Sequence, residues 1–470
     1  LSTDQRGVLR FQPDDNRFTT LWLKTPNALR STAQQTSFFV FEDALGTLWV
    51  HTREGTLFPF NRETNSLDWF FNKPGDPDCV FKTNIQVAWA DPEGVLWLCS
   101  GNQGIYKCVT RSRGFRFTSL ESFVHSGTPD IRCLFKDPAG HTWVASKAGE
   151  LRVFDQTGRS LGVLCSDGQL RPKGDSKLVV YDMLLDQRQR LWLATKGQGL
   201  VRLEPGNATF TSFEFTRFVH QPSDPYSLSN NNLYGLLEDG KGRLWIASYD
   251  GGLMLLNEEL YNRTRFLHAG NDLLGYPMDL CSRVRCLERD KKGNIWVGTT
   301  NGFLVFSETF SKPRELRFHH FSRQMATRNA MYSSDVYDIC CDDSGRVWLG
   351  TFGNGLMLCT NYTPGVRPEL VTFNQKQGFH TDIVLGLVED NTHHLWVTSE
   401  NTLARLNPET GSCDRYNRYN GLVSGDFLEA SVYKDERGHL LLSTPPASIR
   451  SIRMPSNATF LHLALSLPAS

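Results

Sequence analysis

Short apolar and aromatic runs, each bounded by polar turn residues, follow one another along the chain. "RLWLATKGQGLVRL" (190–203), "RLWIASYDGGLMLL" (243–256) and "RVWLGTFGNGLMLC" (346–359) are one pattern written three times. Its core is an apolar residue, Trp, an apolar residue, a small residue, then Ser or Thr. The Trp stands at Trp49, Trp97, Trp143, Trp192, Trp245, Trp296, Trp348 and Trp396, and a ninth copy puts Leu441 in its place. A tenth begins at Leu1, so the chain is expected to start inside a unit. Successive copies lie 45 to 53 residues apart. A period near fifty marks a repeat architecture.

Other columns accompany the Trp. Six residues before it there is always Asp, from Asp43 to Asp435, and three before it there is Gly except at Gln189 and His393. Asp followed three residues later by Gly predicts a tight turn, the carboxylate capping backbone amides and Gly supplying a positive φ. The flanking runs, such as "NLYGLLE" and "LWIAS", read as strands. Each unit is therefore strand, Asp-x-x-Gly turn, strand, Gly turn, strand, with a fourth strand from segments such as "FEFTRFV". The fold class expected is all-β, made of β-propeller repeats of four-stranded antiparallel blades with the Trp packed between blades.

Composition narrows the function. The chain has 470 residues, with 50 basic and 50 acidic side chains. A balanced charge argues against direct nucleic-acid contact and against an anionic membrane surface, since both need a basic face. No apolar run approaches the ~18 residues of a membrane helix. The eleven cysteines have no zinc spacing, and their placement in strand columns (Cys133 and Cys286 ten residues before their Trp) reads as use as small buried hydrophobes. Cys340 and Cys341 are expected to point to opposite faces of one strand, and a pairing of Cys281 with Cys286 stays open. No H-E-x-x-H, G-x-S-x-G or P-loop occurs, so this region is expected to be no enzyme and to hold neither cofactor nor metal.

One column varies. Eleven residues before each Trp stand Phe38, Gln86, Arg132, Tyr181, Tyr234, Arg285, Tyr337 and Leu385. The position before it is apolar: Ile131, Val180, Leu233, Val284, Val336 and Val384. The apolar column should pack between blades and the varied one should face the central channel or its rim. Tyr offers a sugar an apolar face with a hydroxyl, and Arg clamps carboxylate or sulfate. The candidate ligand-binding residues are Arg132, Tyr181, Tyr234, Asn232, Arg285, Asp335, Tyr337 and Asp382. The bland alternative is a channel filled by stacked Tyr and Arg side chains with bound water.

The unit "V-x-x-L-x-x-D-x-x-G-x-L-W-I-G-T-x-x-G-G-L" resembles the two-component regulator propeller repeat, most clearly in "NNLYGLLEDGKGRLWIASYDGGLMLLN" and "SRVRCLERDKKGNIWVGTTNGFLVF". The whole chain resembles the periplasmic sensor region of the hybrid two-component systems of gut Bacteroidetes. That resemblance implies two seven-bladed propellers in tandem, then a small β-sandwich, one membrane helix, a histidine kinase, a receiver and a DNA-binding domain. Counted back from Leu441, it implies the last three blades of an N-terminal propeller in residues 1–113. A seven-bladed propeller in 114–455 and the start of a sandwich or linker in 456–470 would follow. One closed ring of nine or ten blades is the rival architecture. The implied function is extracytoplasmic sensing of glycan-derived oligosaccharides to control polysaccharide-utilisation genes. The implied place is the periplasmic part of an inner-membrane protein, homodimeric through the C-terminal sandwich, its membrane helix outside this sequence. A propeller polysaccharide lyase or hydrolase, or a protein-interaction scaffold, are the alternatives.

Overall fold

In a computed structural model of the chain, the described residues are 2–3, 7–13, 15–21, 38–43, 46–52, 57–61, 66–67, 85–90, 95–101, 104–109, 115–119, 131–174, 177–258, 264–322, 335–366, 368–416, 427, 429, 432–435, 438–444 and 448–452. The expected sandwich or linker in 456–470 lies outside them. The chain divides into two compact units, Leu1–Arg113 and Gly114–Ser470.

The first unit holds three antiparallel sheets among its described residues. They begin at Ser2–Thr3, Phe38–Glu42 and Ile85–Ala90. In the middle sheet Trp49 is buried and its indole donates to Asp43 at 2.8 Å.

The second unit holds seven sheets, numbered here as blades 1 to 7. Their innermost strands are Ile131–Lys136, Val180–Leu185, Leu233–Glu238, Val284–Arg289, Val336–Cys341, Gly386–Glu389 and Val432–Lys434. Each inner strand neighbours the next, and the seventh neighbours the first. Side chains close that ring: Lys136 of blade 1 donates to Asp435 of blade 7 at 3.1 Å, and the Phe135 and Tyr433 rings meet at 5.7 Å. Phe115–Ser119, from the start of the unit, pairs antiparallel with Ser448–Ile452 and becomes the outer strand of blade 7. The unit is thus a seven-bladed propeller, preceded by blades of the first unit, and not part of a larger single ring. Among the described residues a four-residue α-helix, Met278–Cys281, is the only α-helix, and no helix is long and apolar enough to cross a membrane.

The repeat columns have physical causes. The second strand of each blade is enclosed by neighbours on both faces, so "LWIAS" (Leu244–Ser248) is buried at every position instead of alternating. The Asp six residues before each Trp does two jobs. In blade 3 one carboxylate oxygen of Asp239 accepts the amides of Lys241 and Arg243 at 2.9 and 3.0 Å. The other accepts the Trp245 indole N–H at 2.9 Å. The same indole bond recurs in blades 1, 2, 4, 5 and 6, at 2.8 to 3.0 Å. In blade 7, which has no Trp, His439 and Lys136 take the indole's place on Asp435, each at 3.1 Å.

The glycine column needs its residue for backbone reasons, with φ between +74° and +84° at Gly140, Gly242, Gly293 and Gly345. Gln189 and His393 hold the same left-handed conformation at +62° and +59°, so the two departures from the sequence column are not departures in structure. Cys281 and Cys286 are both free thiols, so the pairing left open by the sequence is not made. Cys340 belongs to the apolar cluster shared with blade 6, and Cys341 packs against the cluster shared with blade 4.

Candidate functional site

The inner strands of blades 1 to 5 share one irregularity. In blade 1 Ile131 pairs with Ser146 and Cys133 with Ala145, which leaves Arg132 as an extra residue. The same break leaves Tyr181, Tyr234, Arg285 and Tyr337 without a ladder partner in blades 2 to 5. A β-bulge takes its extra residue out of the pleat alternation and re-aims its side chain. The varied column of the sequence is therefore the bulge column, and all five side chains turn towards one end of the ring. In blade 6 Leu385 stands just before the ladder and is buried.

These side chains touch in series. The Arg132 guanidinium lies over the Tyr181 ring at 4.4 Å. Tyr181 meets Tyr234 at 4.1 Å between centroids, and Tyr234 stacks on Tyr249 at 4.9 Å. Arg285 lies 5.7 Å from the Tyr249 ring and 4.0 Å from the Tyr337 ring. Tyr337 stacks on Phe352 at 5.4 Å. Asp335 holds Arg285 by two bonds of 2.7 and 3.0 Å. Glu429 completes the circuit at 3.3 Å from Arg132 and 3.7 Å from Arg285. Five blades and Glu429, just before the seventh, thus supply one continuous rim.

Exposure divides the rim into floor and face. Tyr181 is only 6% exposed and acts as floor, whereas Phe352 is 41% exposed. Burial raises the Tyr234 hydroxyl above its usual range, helped by its bond to Tyr181. Burial also pushes Tyr337 up to about 12, with Glu429 and Asp335 adding to it against the opposing pull of Arg285. Both phenols stay protonated at any ordinary pH and keep a donor to offer. Burial works against the charge on Arg285, but Asp335, Tyr337 and Glu429 outweigh it and leave its pKa raised.

Asn232 and Asp382 stand at the same end in supporting roles. The Asn232 carbonyl accepts Tyr249 N–H and the Ser248 hydroxyl at 2.8 and 2.9 Å. The Asp382 carboxylate accepts the Gln375 amide at 2.8 Å, and its carbonyl accepts those of Gly353 and Gly355.

Deeper along the inner strands lie three carboxyls. Asp182 accepts the amides of Met183 and, across the blade boundary, Leu236 at 2.8 and 2.7 Å. Asp338 repeats this with Ile339 and Leu387 at 2.9 and 2.7 Å. Burial raises Asp182 and Asp338 to about 7, against the lowering effect of those amides. Burial and the nearby Asp338 raise Glu288 to about 8. All three keep some accessible surface, through which water tempers the effect of burial.

At the turns of the opposite end, Asp343, Glu389 and His393 bring three possible metal-ligating atoms within 4.8 Å of one another. The Lys291 ammonium lies 3.3 Å from Asp343, so much of that charge is already answered. A small pocket also opens at the outer strands of blades 4 and 5, lined by residues that include Phe310, Leu316, His319 and Tyr362. None of the expected site residues lines it.

The sequence did not single out Glu429, Tyr249 or Phe352. Glu429 stands twelve residues before Leu441, in the column where blades 1 to 6 carry Ile131, Val180, Leu233, Val284, Val336 and Val384. A lone acid in an apolar column was the available signal. Tyr249 and Phe352 each follow their Trp by four residues, a second varied column that reads Lys147, Lys196, Tyr249, Thr300, Phe352 and Glu400.

Residues 227–250, 280–301 and 333–353 match the family model described as two component regulator propeller. Three segments of the chain thus match two-component regulator propeller repeats. No curated protein matches it. Among solved structures, it is similar to the extracellular domain of the putative hybrid two component system BT4673 from B. thetaiotaomicron. Identity is 18% over 98% of this chain and 62% of that one, with a TM-score of 0.55. The repeat chain therefore spans less than two thirds of that domain's length. PorZ, a surface component of the type-IX secretion system of Porphyromonas gingivalis, is similar at 14% identity over 94% of this chain and 64% of that one, with a TM-score of 0.53. A catalytically inactive virginiamycin B lyase from Staphylococcus aureus is similar at 12% identity over 72% of this chain and 98% of its own, with a TM-score of 0.50. At these identities the likeness is one of fold.

Proposed function

We propose that this chain is part of the extracytoplasmic ligand-sensing region of a hybrid two-component system, and that its rim binds oligosaccharides released from a complex glycan. The observation that carries the reading is the continuous Arg132–Tyr181–Tyr234–Tyr249–Arg285–Tyr337–Phe352 circuit at one end of the ring. Aromatic faces stack on the C–H faces of sugar rings, and paired Arg and carboxylate groups beside them donate to and accept from hydroxyls. The similarity to the extracellular domain of a putative hybrid two-component system supports the placement outside the cytoplasm. In this reading the region senses and does not turn over its ligand. It lies in the periplasm, acts as a homodimer through a following sandwich and controls glycan-utilisation genes through a kinase in the same polypeptide.

The test is calorimetric titration of the chain with a panel of enzymatically trimmed glycan oligosaccharides. Phe352→Ala removes an exposed stacking ring, so the fold should survive while affinity falls about tenfold, the equivalent of ~1.4 kcal/mol. Binding that is indifferent to Phe352 and to Arg285 places the ligand elsewhere. Silence across the panel removes the saccharide reading.

A further inference from the structure

We propose that the rim selects oligosaccharides carrying an anionic group, a uronate carboxylate or a sulfate ester, and that Glu429 is a built-in occupant which this group displaces. The proposal rests on the reading of the rim as a saccharide site and narrows its ligand class.

The two arginines of the rim are not equally satisfied. Arg285 has a dedicated partner in Asp335, held by two short bonds at 2.7 and 3.0 Å. Arg132 reaches one carboxylate oxygen, on Glu429, at 3.3 Å, and its Nε is buried with no hydrogen-bond partner. A guanidinium offers five donors in a fork that matches a carboxylate two at a time. Glu429 answers one of them, at a length beyond the 2.7–2.9 Å of a strong charge-assisted bond. Its approach to Arg285 is longer still, at 3.7 Å. Glu429 is also the most exposed of the four charged groups, its side chain being 33% accessible against 27% for Asp335 and 12% for each arginine. Glu429 is thus the loosest ion in the circuit and the one nearest water.

Charge then favours an anion as the replacement. With Asp335 and Glu429 opposite Arg132 and Arg285, the cluster sums to zero. A neutral sugar that displaced Glu429 would leave a half-buried guanidinium without a counter-ion. A sugar carboxylate or sulfate restores the balance, and being unconstrained by the chain it can meet Arg132 through two donors. The Tyr181 ring beneath the guanidinium holds the fork in position, at 4.4 Å. The carboxylate that leaves gives up its long contacts with the two arginines and a hydrogen bond with the Tyr337 hydroxyl, and water replaces them.

The experiment is calorimetric titration of the chain and of Glu429→Gln with matched pairs of oligosaccharides. Galacturonate oligomers are set against their carboxyl-reduced neutral forms, and sulfated glycan oligomers against their desulfated forms. Glutamine keeps the shape of Glu429 and removes its charge, and a thermal melt checks that the variant is folded. Affinity for at least one anionic member should rise about tenfold or more in Glu429→Gln, while its neutral partner changes less than twofold. Arg132→Gln should abolish the difference between the two members. Which acid responds separates uronate from sulfate. Binding of neutral saccharides alone, or an equal gain for both members of a pair, leaves the sensor reading standing and overturns the anionic one. Silence from every saccharide in both proteins overturns both.

Discussion

Replacement of Asp239 by Asn should destabilise the propeller about as much as replacement by Ala, although Asn is nearly isosteric with Asp. Four donors converge on this carboxylate: the amides of Lys241 and Arg243 on one oxygen, the Arg243 Nε and the Trp245 indole on the other. Asn supplies one acceptor oxygen. If it keeps the two amides, its NH2 group faces the indole N–H, and Trp245 has no exposed surface through which water could help. Leaving a buried donor unsatisfied costs ~1–3 kcal/mol. Loss of the Arg243 contact adds only ~0–1 kcal/mol, because that side chain is a quarter exposed and also donates to the Glu308 carbonyl. The expected loss is ~1–4 kcal/mol for Asn. Ala loses the turn cap as well but relieves the donor clash, and should fall in the same range. Urea unfolding followed by circular dichroism reads the midpoint shift, with the slope as a check on comparability. In a Trp245→Phe background the clash has no indole to act on, so the cost of Asn should shrink by ~1–2 kcal/mol in a double-mutant cycle. An Asn variant within ~0.5 kcal/mol of the parent, or a cycle without coupling, refutes the claim that the Asp column exists to accept from the Trp.

Two further outcomes follow from the same geometry. Glu288 is raised in the folded state to about 8. Unfolded chains bind its proton less tightly, so its contribution is full below about pH 4 and is lost as pH rises through 8. Glu288→Gln, which keeps an acceptor for the distant Cys341 amide, should be near neutral at pH 5 and stabilising by ~1–3 kcal/mol at pH 9. A stability difference flat across that window in thermal melts contradicts the assignment. Gly302→Ala should cost clearly more than Gly345→Ala: both have a positive φ, but a Cβ at Gly302 would lie 2.0 Å from the Phe321 carbonyl oxygen, whereas one at Gly345 meets nothing within 4 Å. The second substitution carries only the ~1–2 kcal/mol of left-handed backbone, and equal losses in denaturant melts would show that the close approach relaxes freely.

What could be read from the sequence follows from how local each feature is. The Asp-x-x-Gly turn and the buried second strand are encoded within a dozen residues, so the repeat announces the blade. The Asp–indole bond was hidden because spacing alone does not tell a cap from a cap that also accepts across the hairpin. Gln189 and His393 looked like exceptions, yet their backbones conform, since the turn and its Asp impose the left-handed angle on whatever residue is there. The rim residues were found as a column, but their partners come from other blades. Arg285 meets Asp335 across one blade boundary, and Arg132 meets Glu429 across the closure of the ring. Such contacts join residues fifty or nearly three hundred positions apart, and no spacing rule reports them.

The bulge explains why the same strand can be both rigid and variable. Along the inner strand of blade 4, Val284 packs between blades, Cys286 and Leu287 pair with the second strand, and Arg285 lies between them outside the ladder. An unpaired position carries no register and no cross-strand contact, so its side chain can change without disturbing the sheet. That position reads Arg, Tyr, Tyr, Arg, Tyr in blades 1 to 5, while the residue before it stays apolar. In the proposed sensor, ligand choice and blade stability would then be set by different residues of one strand. Substitutions among the bulged residues that keep the rim's charge balance should move affinity far more than melting temperature, whereas the apolar residue one position earlier should do the reverse.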